Sequence, residues 1–431
     1  MPALVQCALS DANLDAKLAR NQRQLAISVA AQAGHGRVRS NLCLILDRSG
    51  SMRGRPMEMV KAAARQLVGQ LALGDRLSLV AFDHEAQVIL PCQEVAPEPL
   101  SILQAIEGLA AGGGTCIDEG LKLGIEELAR SRRESGLLGN IKADPGGILP
   151  TAPSVSQIFL LTDGENEHGN DPRCLKMAEL AASYGISVHC LGFGSHWNQD
   201  TLEQIADAGA GALCYIEQPE DAPAAFETLL ARVQSVQLTN ARLLLALESP
   251  VRLAELKPIA QVAPETVELT AQELPDGRLE VRLGDLMVDG PRVVLVNAYV
   301  AQLPPGDHRL VQVQVCYDDP ATGQVDVLSE PIAVMGRSLE LFHPAPNAPV
   351  QAHIGALAKY RQTQIAETKL QTGDRQGAVT MLQAAAQTAL QMGDRNAATV
   401  LQTQATKLQA GDDLSEADRK KTRIASKTTL R

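Results

Sequence analysis

Apolar and polar positions change rhythm three times along the chain, and each rhythm predicts a different architecture. Between Leu42 and about Gln234, wholly apolar runs alternate with stretches of helical spacing. Leu42 to Leu46 is apolar throughout and stops at Asp47, as a central strand covered on both faces does. After a loop of Ser, Gly and Arg, Pro56 opens a helix through Leu73. Strands are predicted at Leu77 to Phe82 and Gln87 to Leu90, then a helix from Leu100 to Leu109 and the run Gly112-Gly113-Gly114. A helix from Thr115 to Ser131 precedes a second buried strand, Gln157 to Leu161, which ends near Asp163. Helices at Cys174 to Tyr184, Thr201 to Ala208 and Ala222 to Val236 alternate with strands at Ser187 to Leu191 and Leu213 to Ile216. This alternation predicts a doubly wound α/β fold, a mostly parallel sheet with helices on both faces. Ser131 to Ser156 interrupts it with Gly, Pro and Ser and no period, which reads as a functional loop or a disordered one.

From Gln237 to about Met335 the rhythm becomes short and alternating. Val267 to Thr270, Leu279 to Leu283, Val293 to Ala301, Arg309 to Tyr317 and Val325 to Ile332 are separated by turn residues such as Leu274-Pro275-Asp276-Gly277. An antiparallel β-sandwich is predicted. Gln24 to Ala31 also reads as a strand and is expected to pair with it, leaving the α/β region inserted within one β domain. Beyond Pro344 and Pro346 the chain is Ala- and Gln-rich and helical to about Ala410, with Gly373-Asp374-Arg375 repeated as Gly393-Asp394-Arg395. The expected division is 1–39 (strands joining the sandwich), 40–235 (α/β), 236–343 (β-sandwich), 344–411 (helical hairpin or bundle) and 412–431 (a polar, disordered tail).

Composition narrows the function. Lys plus Arg is 39 against 50 Asp plus Glu, a net charge of −11, and aromatics are 3%. Neither the charge nor the stacking rings of a nucleic-acid binder are present, and an anionic membrane surface is repelled as well. Without a basic start before an apolar stretch, or an apolar run of membrane-spanning length, the expectation is a cytoplasmic protein. The eight cysteines are scattered, several inside apolar runs, and read as small buried hydrophobes in a reducing compartment.

Five residues carry candidate chemistry. Asp47, Ser49 and Ser51 lie directly after the first buried strand, Thr115 after the triple glycine, and Asp163 directly after the second buried strand. Loops at the carboxyl ends of neighbouring parallel strands converge on one crevice, so three segments can deliver these residues to one place. The set is all oxygen, two carboxylates and three hydroxyls, which suits Mg²⁺ or Mn²⁺ better than zinc. Alternation in Asp47-Arg48-Ser49-Gly50-Ser51 lets one turning loop point three oxygens inward. Five side chains leave an octahedral position open for a carboxylate from a partner.

Asp-x-Ser-x-Ser, a Thr after a Gly run and a later Thr-Asp-Gly resemble the metal-ion-dependent adhesion site of von Willebrand factor type A domains. Gly74-Asp75-Arg76-Leu77-Ser78-Leu79-Val80-Ala81-Phe82 and Gly112-Gly113-Gly114-Thr115 are similar to the branch holding inter-alpha-trypsin inhibitor heavy chains and plant RING-type proteins. The resemblance covers roughly residues 40 to 235. It implies a six-stranded sheet with one antiparallel edge, direct or near-direct metal contact by Ser49, Ser51 and Thr115, and water-mediated roles for Asp47 and Asp163. The function it implies is a metal-dependent interaction module or scaffold rather than an enzyme, gripping an acidic residue of a protein partner. The alternative is a subunit working beside an AAA-type ATPase in metal insertion or complex remodelling. No RING-type cysteine cluster is present, so ligase activity is not carried over.

A hydrolase assembled from Ser49 or Ser51 with His84 and Asp83 or Asp163 lacks the Gly-x-Ser-x-Gly elbow. Gly192-Phe193-Gly194-Ser195 lacks the Lys and spacing of a phosphate loop and reads as a strand-end turn. His168, in the loop after Asp163, reads as a solvated loop residue rather than a member of the site, while Glu165 and Glu167 beside it are expected at the rim, where they bear on partner choice.

Overall fold

The computed structural model describes residues 2–34, 37–134, 154–167, 169–194 and 196–427. Three strands open the chain: β1 (Ala3–Leu9), β2 (Asn13–Asp15) and β3 (Arg20–Ala31). An α/β unit follows, comprising β4 (Arg39–Asp47), α1 (Arg55–Gln70), β5 (Arg76–Phe82), β6 (Ala86–Glu94), α2 (Leu100–Glu107) and α3 (Ile117–Glu134). It continues through β7 (Ser154–Thr162), α4 (Asp171–Ser183), β8 (Ile186–Phe193), α5 (Gln199–Ala208), β9 (Ala210–Ile216) and α6 (Ala222–Gln234).

The sheet of this unit runs β6-β5-β4-β7-β8-β9. Five strands are parallel and only the β5–β6 pair is antiparallel, so the mixed six-stranded sheet is the one the resemblance implies. Leu42 to Leu46 of β4 is wholly buried because successive side chains face two different helical layers. Leu42, Leu44 and Leu46 join the core formed with α1, α2 and α6, while Cys43 and Ile45 join the one formed with α3, α4 and α5. Close approach is built in at Gly124 of α3, where a Cβ would stand 2.5 Å from Ile45 Cδ1.

The segment Ser131 to Ser156, read as one loop, is partly regular. Ser131 to Glu134 completes α3, Ser154 to Ser156 begins β7, and 135–153 lie outside the described residues, as do His168 and Ser195.

The second unit gathers Met1–Gln32, Ala241–Tyr317 and Val327–Arg431. The later strands are β10 (Val236–Leu247), β11 (Val251–Leu253), β12 (Ile259–Ala263), β13 (Val267–Leu269), β14 (Ala271–Glu273), β15 (Leu279–Met287), β16 (Arg292–Ala301), β17 (Gly306–Asp319), β18 (Gln324–Leu328) and β19 (Ile332–Leu339), of which residues 236–240 of β10 and those of β17 and β18 within Asp318–Asp326 are counted with the α/β unit. One sheet has the order β1-β3-β16-β12-β13 with β11 on β16; the other has β14-β15-β10-β17-β19-β2 with β18 on β17. β3 runs antiparallel to β16 from Val29 opposite Arg292 to Arg20 opposite Ala301, which seats the first strands of the chain in a sheet formed far downstream. Two expectations need correction. The sheets are not antiparallel throughout, because β19 pairs with β2 in parallel. Val325 to Ile332 is not one strand but parts of β18 and β19, separated before Pro331, which has no N–H to give a ladder.

The C-terminal helices are α7 (Ala348–Gln371), α8 (Arg375–Gln391), α9 (Arg395–Ala410) and α10 (Glu416–Lys427). Val350 and Ala356 of α7 share a core with Ala26, Val262, Val293 and Leu295 of the first sheet. The Gly-Asp-Arg repeat is a stop-and-start signal. Gly373 and Gly393 take φ of 80° and 81° as one helix ends. Asp374 and Asp394 then cap the next, accepting from Gly377 N at 2.8 Å and Ala397 N at 3.0 Å. Within the tail expected to be disordered from Asp412, of which 428–431 lie outside the described residues, Glu416–Lys427 instead forms α10. Its charge hides its order, which comes from polar docking: the wholly buried Lys359 donates to Ala425 O at 2.9 Å and to Asp394 Oδ2 at 3.0 Å. Among the described residues no helix is long and apolar enough to cross a membrane, and all eight cysteines are free.

Candidate metal centre

The strand order reverses between β4 and β7, since β5 and β6 are laid down on one side of β4 and β8 and β9 on the far side of β7. Such a switch point leaves an open crevice at the carboxyl ends of the two strands. Asp47 is the last residue of β4, and Asp163 is the first residue beyond β7. Asp47 is fully buried; its Oδ1 accepts from Ser49 N at 2.7 Å, which turns the loop, and its Oδ2 accepts from Thr162 Oγ1 at 2.5 Å. The turn brings Ser49 Oγ and Ser51 Oγ within 2.9 Å of each other, and both donate to Asp163 Oδ1, at 3.3 and 2.7 Å.

Thr115 enters from a third segment. Gly112 N donates to Arg48 O at 2.7 Å and Gly50 N to Gly113 O at 3.0 Å, stitching the glycine loop onto the Asp47–Ser51 loop. Gly113 adopts φ 101°, and a Cβ there would stand 2.8 Å from both Asp83 Cβ and His84 Nδ1. Thr115 is buried against Gly164, where an added Cβ would lie 3.1 Å from Thr115 Oγ1. The fold therefore brings Ser49, Ser51, Asp47 and Asp163 into one hydrogen-bonded cluster and sets Thr115 at the residue following Asp163.

Supporting residues escaped the sequence reading. Thr162 holds the second oxygen of Asp47, and its signal was its place in Leu161-Thr162-Asp163-Gly164. Asn166 Oδ1 accepts from Ile117 N at 2.8 Å, fixing the start of α3 two residues after Thr115. Arg173 joins Asp118 at 2.8 Å and Glu119 at 2.6 Å, tying α4 to the same turn. Arg48, at the variable position of the motif, pairs through Nε with the mostly buried Asp83 Oδ2 at 2.9 Å. Its charge is thus met by Asp83.

Electrostatics favour a cation. Burial pushes Asp47 up to about 6, with the Thr162 hydroxyl and the Ser49 amide partly opposing the shift and the charge of Asp163 adding to it. Burial raises Asp163 as well, against the hydroxyls of Ser51 and Ser49. Two carboxylates thus meet in a desolvated crevice whose hydrogen bonds come from hydroxyls and an amide, an arrangement that an added positive charge stabilises. No group of three or more His, Cys, Asp or Glu able to hold a metal occurs among the described residues, so a cation here needs the hydroxyls. Hard oxygen-seeking ions fit that donor set.

The other candidate chemistries are not assembled. Ser49 and Ser51 donate to Asp163, while His84 lies 3.2 Å from Asp83 with its side chain 61% exposed. Gly192 and Gly194 make a strand-end turn: a Cβ on Gly192 would fall 2.2 Å from the Trp197 ring, and Trp197 Nε1 donates to Gly194 O at 2.9 Å.

A parallel sheet with one antiparallel edge and an oxygen-lined crevice at its switch point defines a von Willebrand factor type A domain, and the model of that domain matches residues 41–228. Residues 348–431 match the model of the Sll0103-like C-terminal alpha-helical domain. The "uncharacterized protein sll0103" of Synechocystis sp. is 54% identical over 98% of this chain and 96% of its own length. The chain belongs to this Sll0103-like family of von Willebrand factor type A proteins. It is also 30% identical to inter-alpha-trypsin inhibitor heavy chain H4 of Sus scrofa over 50% of this chain, a likeness to only 22% of that longer protein. The whole fold is shared with a von Willebrand factor type A protein from Catenulispora acidiphila, at a TM-score of 0.78 and 17% identity over 99% of this chain and 97% of that one. Domains of this type mediate protein–protein interaction, and the relatives of this region include both inter-alpha-trypsin inhibitor heavy chains and a probable E3 ubiquitin-protein ligase of Arabidopsis thaliana, 24% identical over 66% of this chain.

Proposed function

We propose that this protein is a metal-dependent interaction scaffold of the cytoplasm that captures an Asp or Glu side chain of a partner protein. Asp47, Ser49, Ser51, Thr115 and Asp163 would hold Mg²⁺ or Mn²⁺. The bound ion supplies a localised positive charge that an incoming carboxylate can complete. The observation that carries this reading is the convergence of Ser49 and Ser51 on Asp163 beside the buried Asp47, with two carboxylates in one desolvated crevice. The chain's own residues prepare the site: Thr162 orients Asp47, and the Gly112–Thr115 loop is pinned to Arg48 and Gly50. The test is capture of partners by the full-length protein from lysate of its source cells, with Mg²⁺, with a chelator, and with Thr115→Ala. Partners that are retained with Mg²⁺ and lost in both other arms support the proposal. Undiminished capture in both removes the metal from it.

A further inference from the structure

The C-terminal helices line a partly open pocket of about 90 Å³ between α7, α8 and α10. Its floor is apolar: Ala366 and Leu382 are wholly buried, Leu414 nearly so, and Leu370 completes it. Two threonines in its wall offer no free hydroxyl hydrogen, since Thr363 Oγ1 donates to Lys359 O at 2.9 Å and Thr422 Oγ1 to Asp418 O at 2.8 Å. Polarity is concentrated in charged groups. Arg423 Nη1 stands 3.6 Å from Glu367 Oε1, a loose pair. Arg419 also lines the pocket, and its guanidinium has no hydrogen-bond or ion-pair partner among the described residues.

We propose that this pocket binds a short aliphatic monocarboxylate, with the hydrocarbon on the leucine floor and the carboxylate held by Arg419. The planar guanidinium fork matches a carboxylate. Size sets the class: a cavity of roughly 150 Å³ takes benzene, so this one takes a smaller body of about three to five carbons. Charge sets it further. Glu367 offsets part of the field of Arg423, so a dianionic phosphate is disfavoured against a monoanion. One wall is α10, docked largely by polar bonds such as Lys407 Nζ to Asp418 Oδ1 at 2.8 Å, so occupancy bears on how firmly that helix is held. The site lies wholly in the helical region and does not depend on the metal reading.

The experiment is a titration of the full-length protein with sodium butyrate, followed by calorimetry and by its thermal midpoint, with sodium chloride at matched ionic strength as control. Saturable binding is expected in the millimolar range for so few heavy atoms. It should weaken at least about tenfold in Arg419→Gln, as loss of a charge-assisted pair does. It should vanish in Leu382→Phe, which fills the floor, and butyramide and inorganic phosphate should not bind. Absence of saturable binding up to about 50 mM butyrate, well above the expected range, overturns the proposal. So does unchanged binding in Arg419→Gln, or butyramide or phosphate binding as well as butyrate. Should Leu382→Phe not fold, Arg419→Gln decides alone, since its side chain is on the surface.

Discussion

Ser51 Oγ donates to Asp163 Oδ1 at 2.7 Å, closing a link between residues 112 positions apart. That bond joins the loop after β4 to the loop after β7 and so holds the crevice in shape. Ser51→Ala removes the bond and one of the five candidate ligand side chains. We expect a stability change within about 1 kcal/mol, as for one partly exposed hydrogen bond, but a clear fall in Mn²⁺ affinity. Urea unfolding and calorimetry separate the two effects. Unchanged Mn²⁺ affinity would take Ser51 out of the ligand set.

Thr162→Val keeps the shape of the side chain and deletes its bond to Asp47 Oδ2. Residues that orient a ligand are commonly worth about 10–100-fold in metal affinity, and a loss of that order is expected here. Calorimetric titration with Mn²⁺ measures it. A variant that binds as tightly as the wild type would show that Asp47 needs no such support.

Asp47 is raised to about 6 from an ordinary value of 3.8. The folded metal-free protein therefore binds more protons than the unfolded chain between those values, and this group's contribution to stability falls as pH rises through that window. A divalent ion binds the deprotonated carboxylate and competes with the proton. The rise in thermal midpoint caused by Mn²⁺ should thus be largest at pH 7 and above and shrink through pH 6 toward pH 5. A midpoint shift that stays constant across that range would contradict the coupling.

Gly113 combines φ 101° with a Cα packed on Asp83 and His84. Gly113→Ala meets both the left-handed backbone and the 2.8 Å approach, at an expected cost of about 1–3 kcal/mol. Urea denaturation reads the cost directly. A neutral substitution would mean that the glycine loop is not clamped as described.

Lys359 is wholly buried and joins α7 to the cap of α9 and the end of α10. Lys359→Met leaves the buried Asp394 carboxylate without its cation, which typically costs about 3–5 kcal/mol. Loss of α10 packing should also expose Glu416–Lys427 to limited proteolysis. Wild-type stability and protease resistance in this variant would remove Lys359 from the docking of α10.

The candidate site was legible because its parts are local signals. Asp47-Arg48-Ser49-Gly50-Ser51 is contiguous, and β4 and β7, buried on both faces, read as unbroken apolar runs whose ends place Asp47 and Asp163. What stayed hidden was either long-range or polar. β2 is three residues long and finds its partner in β19, more than 300 residues away, which no periodicity encodes. β10, with its apolar Leu243-Leu244-Leu245-Ala246-Leu247, directly follows α6, and an apolar run alone does not separate strand from buried helix. α10 has the composition of a solvated tail. Its order comes from ion pairs and from a buried lysine on another helix, which hydropathy cannot register. Thr162 lies within the motif and was passed over because only the fold shows that its hydroxyl faces Asp47.

The most direct test is calorimetric titration of the full-length protein with Mn²⁺, beside Asp47→Ala, at pH 7.5. One saturable site in the wild type, absent from the variant while its circular dichroism is unchanged, is the predicted result. Equal Mn²⁺ uptake by both proteins, or none by the wild type, would contradict the metal centre.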